Sequence, residues 1–482
     1  MIDIRPVIYV IGLLTAAMGL FMGFPMALDF VSGDPHWLSF LEASVICIVL
    51  GGTMALATAN SPGGNLSLQQ VFLLTTGVWI VLPAAGSLPL ILGAPGLHPI
   101  DAMFEAISGI TTTGTTVISG LDFLPLGTNL WRGILQWLGG LGIVIVAMLF
   151  LPVMKVGGMQ YFRSEGFDTL GKVLPRALDI SSALVQIYVW ITVACAVTYF
   201  ALGMSGYHAV IHAMTTVSTG GFSASDKSFG LYQGLPEYAA VVFMLMGSLP
   251  FVRFIQLAQG SLRPLLNDAQ VRAYLRWNIY ATGAIVLYEF MTHGFALEPL
   301  VRETLFNVVS TFSGTGFASV DLSAWGPFPF VVLIVVGLIG GCTSSTGCSV
   351  KVFRYLILFE AIKVQIRQLL NPAAITRLRY DGRPVGRDVV DSVVVFFTMF
   401  ILTFGLLAVC LSMTGLETKT SITAAWTSIA NVGPVFGPEV GPTGSVQGFS
   451  TNAKVLMMAG MLIGRLELLS VYVLFMRRFW RG

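Results

Sequence analysis

Four short stretches of glycine and hydroxyl residues carry the most chemistry in this sequence. They read Thr111-Thr112-Thr113-Gly114-Thr115, Ser218-Thr219-Gly220-Gly221-Phe222, Gly314-Thr315-Gly316-Phe317-Ala318 and Asn431-Val432-Gly433-Pro434. Glycine lets a backbone take angles closed to other residues and aim its carbonyls in one direction. Four such turns around one axis would offer a ring of carbonyl oxygens, which is how a protein replaces the water shell of an alkali cation. The neighbouring Thr and Ser side chains can add hydroxyls or tie each turn to its surroundings. One Thr-Gly turn says little, but four at matching places say much more. The competing reading is glycines that simply let helices pack.

The elements that must position these turns follow from the apolar runs around them. Each stretch follows a segment able to form one to three helical turns: Asp101–Gly109, His208–Thr215, Arg302–Val309 and Ser421–Ala430. A short helix ending at its glycine points its partly negative C-terminal end at the turn, which favours a cation there. The glycines Gly114, Gly220, Gly316 and Gly433 recur at intervals of 106, 96 and 117 residues, with Phe104 and Phe306 ten residues before theirs. The repeated order of span, short helix, glycine turn and span indicates a duplicated unit. The expected spans are 7–28, 38–58, 70–90, 130–152, 181–202, 236–259, 276–292, 330–360, 390–412 and 453–476. The eighth is long and interrupted by Gly340-Gly341-Cys342-Thr343-Ser344-Ser345-Thr346-Gly347, a run that does not prolong a stable helix. Irregular backbone at that depth needs protein or a water-filled cavity beside it. The expected fold is an all-α polytopic membrane protein: four helix–pore loop–helix repeats around a central pore, preceded by two extra transmembrane helices. The expected divisions are 1–62 for the peripheral helices, then 63–165, 166–265, 266–375 and 376–482 for the repeats.

Composition agrees with this class. The chain has 482 residues, 55% hydrophobic and 10% charged, where a soluble protein carries about 25% charged residues. Windows such as 133–152 and 180–198 hold no charge and are near the length needed to cross a bilayer. A net charge of +2 gives no reason to expect a nucleic acid partner. The N-terminal apolar run reads as a retained first span rather than a cleaved signal. The five cysteines read as small hydrophobes within apolar runs. Most basic residues fall on one side of the span pattern, which makes that side, with both termini, cytoplasmic and sets the four turns toward the outside. Asp101, Glu105, Asp122, Glu298, Glu303, Glu417 and Glu439 then fall on the outer side, where acidic groups concentrate cations or form ordinary solvated surface. His208 and His212 are spaced i,i+4 without a metalloprotease pattern and read as tuning the outer vestibule rather than binding metal. There is no catalytic constellation, so an enzyme is not expected.

The four stretches resemble the filter sequences of the superfamily of potassium transporters that includes TrkH, KtrB and plant HKT proteins. The similarity covers nearly the whole chain. It is greatest to the TrkH branch, the membrane subunits of the bacterial Trk potassium uptake system, which share the two extra N-terminal helices. The resemblance implies potassium binding at Thr112, Thr113, Gly114, Ser218, Thr219, Gly220, Gly221, Gly314, Thr315, Gly316, Asn431, Val432 and Gly433. In the plant relatives a serine at the first-repeat glycine accompanies sodium conduction, so Gly114 implies a preference for potassium. The interrupted span matches the family's intramembrane gating loop, here Gly340, Gly341, Cys342, Thr343, Ser344, Ser345, Thr346 and Gly347, with Lys351 beyond it. Cys348 and Ser349 stand where such loops often carry more glycine. Arg465 is costly in lipid and must face protein or water. The resemblance sets it beneath the filter as a gating charge, and the bland alternatives are an ion pair with Glu467 or helix anchoring. Lys351 has the alternative of marking a helix end.

The resemblance further implies a homodimer in the bacterial inner membrane, docked on a cytoplasmic nucleotide-binding subunit, TrkA. The basic segment Arg367–Arg387 is a candidate docking site or plain positive-inside charge. The chain has no nucleotide-binding glycine motif, so no cofactor is expected on it, and ATP, ADP or NAD belongs to the partner. The expected function is potassium uptake through a gated pore. The alternatives are symport of potassium with protons or sodium, a weakly selective sodium/potassium pathway and, more distantly, a membrane-bound enzyme.

Overall fold

The apolar runs fold as helices whose ends are set by local capping and by proline. Ser67 opens the third span with a reciprocal cap, its hydroxyl accepting from the Gln70 amide while the Gln70 side chain accepts from the Ser67 amide. The computed structural model describes residues 2–60, 66–149, 154, 158, 177–294, 296–373 and 377–481. The first two spans are α1 (Arg5–Phe21) with its continuation α2 (Gly23–Val31), and α3 (Trp37–Thr58). Gly12 and Gly51 let α1 and α3 approach until a Cβ on either would meet the other's backbone.

Four helix, short helix, turn, helix units follow. The first is α4 (Leu68–Leu92), α5 (Pro99–Ile110) and α6 (Leu126–Leu149). The second is α7 (Ala177–Ala201), α8 (Gly206–Val217), α9 (Leu235–Ser248) and α10 (Phe251–Ala258). The third begins with α11 (Arg263–Asn267), α12 (Ala269–His293) and α13 (Leu297–Ser313), and continues as α14 (Pro327–Ile339) and α15 (Val352–Leu370). The fourth is α16 (Arg387–Ser412), α17 (Thr418–Ala430), α18 (Thr451–Arg465) and α19 (Leu469–Tyr472). The expected divisions at 62/63, 165/166 and 375/376 lie outside the described residues, as do Lys155, Arg163, Lys172 and Arg176 of the charge pattern.

Among the described residues, six helices have the length and apolarity to cross a membrane, and two bent pairs would make eight. The expected spans 276–292 and 330–360 correspond to α12 and to the α14–α15 pair. The four short helices are present and longer than expected, above all α13 at Leu297–Ser313.

Two expected straight spans are bent. Between α9 and α10 the chain turns by 98°. Pro250 lacks an N–H and drives Leu249 into extended backbone, so the helix stops there. Between α18 and α19 the turn is 106°. Glu467 and Leu468 adopt positive φ there, with the Glu467 carboxylate drawn to Lys351 and Arg354. Both termini reach one face: Gln70 donates to Asp3 O and Gln69 to Phe479 O. The expected basic segment includes a two-stranded hairpin, Arg379–Tyr380 against Arg383–Pro384. Asp381 and Gly382 supply the two positive φ angles of a tight hairpin turn.

Candidate functional site: four converging turns and the loop beside them

Just past each short helix, one residue takes left-handed backbone and the glycine two residues later does so again. The pairs are Thr112 (53°) and Gly114 (88°), Thr219 (51°) and Gly221 (78°), Gly314 (84°) and Gly316 (78°), and Asn431 (51°) and Gly433 (102°). In the second repeat Gly221, not Gly220, therefore stands level with the other three. The sequence spacing takes Gly220 as the second key glycine, and the sign of φ moves that position one residue on, to Gly221.

The turns share a hydrogen-bond plan. Six residues before each of these glycines a helix carbonyl accepts from an amide of the turn. Ser108 O accepts from Thr113 N at 2.9 Å, Thr215 O from Gly220 N at 2.9 Å, Ser310 O from Gly316 N at 3.1 Å and Thr427 O from Val432 N at 3.3 Å. The outgoing strand is pinned by a side chain on the short helix. Glu105 accepts from Val117 N at 3.0 Å, Asn307 Oδ1 from Ser319 N at 3.3 Å and Thr423 Oγ1 from Phe436 N at 3.1 Å; His212 Nε2 lies 3.2 Å from Ser223 Oγ.

The four turns meet in cyclic order. A Cβ on Gly114 would strike Gly220 O, one on Gly221 would strike Thr315 O, and one on Gly316 would strike Val432 O. One on Gly433 would lie 2.9 Å from Thr113 O. The carbonyl preceding each glycine thus packs against the glycine of an adjacent turn, and Thr115 Oγ1 donates to Gly433 O at 2.7 Å across the last junction. All four glycines line one recess of about 130 Å³.

Three supports escaped the sequence reading. Arg132 and Glu105 form a buried ion pair at 2.8 Å. Arg132 also donates to Ser223 O at 2.9 Å and lies 4.2 Å over the Phe222 ring. Gln136, one turn further along α6, donates to Gly220 O at 2.6 Å and accepts from Phe222 N at 2.9 Å. The available signal was the i,i+4 pair of large polar residues in an otherwise apolar helix. Glu105 is therefore a buried strut, not a surface acid. Asp101 is ion-paired with Lys454 at 2.7 Å. His212 does not face a vestibule: it is fully buried among Phe229, Tyr232 and Phe317.

The interruption between α14 and α15 packs directly against the turns. Thr346 Oγ1 donates to Val217 O at 3.0 Å and to Gly247 O at 2.9 Å, and Thr219 Oγ1 lies 3.2 Å from it. Cys348 Sγ is 3.6 Å from Thr112 Oγ1 and touches the Arg465 guanidinium. Arg465 donates to Thr346 O at 3.3 Å, while its Nε and Nη2 have no partner among the described residues. Glu467 pairs with Lys351 at 3.5 Å and with Arg354, rather than with Arg465. Lys351 is buried. Gly340 and Gly341 begin the loop, and Cys342 N and Thr343 N donate to Ser248 O and Gln270 Oε1, both at 2.9 Å. Phe251 N donates to Ser344 O at 2.9 Å, and Ser345 Oγ caps Gly347 N at 3.2 Å. The loop therefore contacts α9, α12 and the turns at once.

The helical bundle and its converging turns define a polytopic, all-helical membrane protein with fourfold internal repetition. The chain matches the TrkH family model, described as cation transport protein, over residues 36–277 and 295–481. It belongs to that family. It is 39% identical to the Trk system potassium uptake protein TrkI of Halomonas elongata, covering 99% of this chain and 97% of that one. It is 31% identical to the Trk system potassium uptake protein TrkH of Escherichia coli, covering 99% of each. Its fold superposes on the crystal structure of the potassium transporter TrkH from Vibrio parahaemolyticus with a TM-score of 0.91, 30% identity and coverage of 99% of this chain and 100% of that one.

Proposed function

We propose that the chain takes up potassium through a gated, selective pore, as the membrane subunit of a Trk-type system. The observation that carries this reading is the cyclic set of carbonyls at Thr113, Gly220, Thr315 and Val432, each packed against the glycine of an adjacent turn. Four main-chain oxygens in that order are suited to replacing the hydration of a monovalent cation. The names of the relatives, potassium uptake proteins of Trk systems, give the ion.

In this reading the repeats are 63–165, 166–265, 266–375 and 376–482. The face bearing both termini is cytoplasmic, in a bacterial inner membrane. The loop from Gly340 to Lys351 is the gate. Arg465 adds a buried positive charge beside it, which opposes a cation until the loop and the arginine move apart. Two copies of the chain, set in membrane lipid, dock on a nucleotide-binding subunit of the TrkA kind, which holds any ATP, ADP or NAD. The exposed arginines Arg377, Arg379, Arg383 and Arg387 offer that partner a cationic surface.

The selectivity reading is tested by Gly114→Ser. Reconstituted protein should gain relative sodium permeability, measured by bi-ionic reversal potentials; an unchanged ratio would remove Gly114 from the filter. The sharp bends at 249–250 and 467–468 favour a second reading, coupled symport, because broken helices also build coupling-ion sites. Currents that follow the potassium gradient alone support the pore, whereas flux strictly tied to protons or sodium supports symport.

A further inference from the structure

We propose that the face opposite the termini carries a second cation site, a pocket for a linear organic polyammonium ion beside the mouth of the turns. A cavity of about 580 Å³ lies between the end of α12, the start of α13 and the segment after the third turn, lined by Glu289, His293, Glu303, Asp321 and Trp325. Glu289 is 3% exposed. Its Oε2 lies 2.9 Å from His293 Nδ1, and its Oε1 has no partner among the described residues. A buried carboxylate oxygen left unpaired is costly, and a cationic ligand removes that cost. Arg302 stands 3.6 Å from Glu303, so Glu289 is the stronger anchor.

The arrangement selects the kind of cation. Among the described residues no three His, Cys, Asp or Glu side chains converge to hold a metal ion. Carboxylates spread along a cavity instead match ammonium groups spread along a chain. Pro299, Leu300 and Ala324 suit the methylenes between them, and Trp325 provides an aromatic wall suited to an ammonium group. Val320 and Asp321 also line a larger cavity of about 630 Å³. That cavity shares Ser228, Ala318 and Pro434 with the recess above the four glycines. A polyamine anchored at Glu289 can therefore extend over Asp321 toward the potassium path and obstruct it. Only this effect on transport rests on the function proposed above; the binding site stands without it.

The test uses spermidine and the purified full-length protein. Calorimetric titration of the wild type should show saturable binding at an ionic strength where an equal charge of magnesium gives none. Glu289→Gln should weaken it by about tenfold or more, the loss of one charge-assisted contact, and Glu303→Gln by less. In proteoliposomes, spermidine on the face opposite the termini should reduce potassium uptake by the wild type but not by Glu289→Gln, whose uptake without spermidine is unchanged. Equal binding by wild type and Glu289→Gln, or full replacement of spermidine by magnesium, overturns the site. If the wild type moves no potassium at all, the transport reading fails, and the calorimetry alone decides the site.

Discussion

The four turns and the loop beside them are both irregular backbone at membrane depth, and they differ in what holds them. Each turn is fastened first by its own short helix, with partners such as Glu105 to Val117 and Asn307 to Ser319, each 12 residues apart, and only then by distant bonds such as Gln136 to Gly220 and Thr115 to Gly433. The loop is fastened by partners far along the chain: Thr343 to Gln270, 73 residues away, Thr346 to Val217, 129 away, and Arg465 to Thr346, 119 away. Local fastenings travel with their helix and reform after any excursion. Distant ones depend on how repeats two, three and four sit together, and a small shift between repeats breaks several of them. Irregular backbone of the first kind suits a fixed binding ring, and the second kind suits an element with two arrangements.

The largest expected effect breaks the ring. Gly221→Ala puts a Cβ against Thr315 O at a backbone angle of +78°. Left-handed strain alone costs about 1–3 kcal/mol, and the obstruction is backbone that has nowhere to go. Potassium uptake should fall to background. Gly220→Ala is different, because the three atoms nearest its Cβ all belong to the Gln136 side chain. Its effect should largely vanish in a Gln136→Ala background, whereas that of Gly221→Ala should not. The same double-mutant cycle, read by potassium uptake, decides between the two glycines; equal rescue of both would restore Gly220 as the ring position.

Next in size is the strut behind the first turn. Glu105→Ala leaves Arg132 buried at 1% exposure with its carboxylate gone, a loss of about 3–5 kcal/mol. The unfolding temperature in detergent should drop clearly. Adding Arg132→Met should recover part of it, since two apolar groups leave no buried charge. No recovery would mean that the contacts of Arg132 with Ser223 and Phe222 matter more than its charge.

The sequence made the ring far more legible than its supports. Glycines at repeating intervals announce a turn, because few other residues tolerate left-handed backbone; Thr112 and Thr219, β-branched yet at positive φ, carry that signal only through their neighbours. Span positions were readable for the same reason that hydropathy works: a bilayer demands apolar length. The bends after Ser248 and Arg465 were not. Pro250 was visible, but Glu467 and Leu468 bend where Lys351 and Arg354, more than a hundred residues earlier, hold the Glu467 carboxylate. Glu105 looked like a surface acid because its partner Arg132 is 27 residues away on another helix. Partnership across elements leaves no periodic trace in one sequence.

On the loop side, Arg465→Ala sharpens the comparison. Among the described residues only Nη1 of this side chain makes hydrogen bonds, with Thr346 O and Cys348 Sγ, while the guanidinium lies 5.7 Å over the Trp79 ring. Its removal should therefore cost little stability while removing a positive charge from the proposed cation route. Basal potassium flux into proteoliposomes should rise several-fold with the unfolding temperature nearly unchanged. A large loss of stability with no rise in flux would make Arg465 a structural tie instead of a gating charge.

The smallest effect expected is at Gln270, at the start of α12, whose side-chain oxygen accepts from the Thr343 amide at 2.9 Å. It is a single neutral hydrogen bond, worth about 1 kcal/mol, so its loss shifts a two-state loop by about fivefold. Gln270→Ala should raise basal flux by that order. Gln270→Leu separates the bond from the space it fills: both variants remove the acceptor, but only the alanine leaves a cavity. Equal increases in flux assign the effect to the hydrogen bond, and thus to a distant fastening of the kind that distinguishes the loop from the turns. An increase with alanine alone assigns it to packing, and the loop would then be held by the shape of its pocket, as rigidly as the ring it lies against.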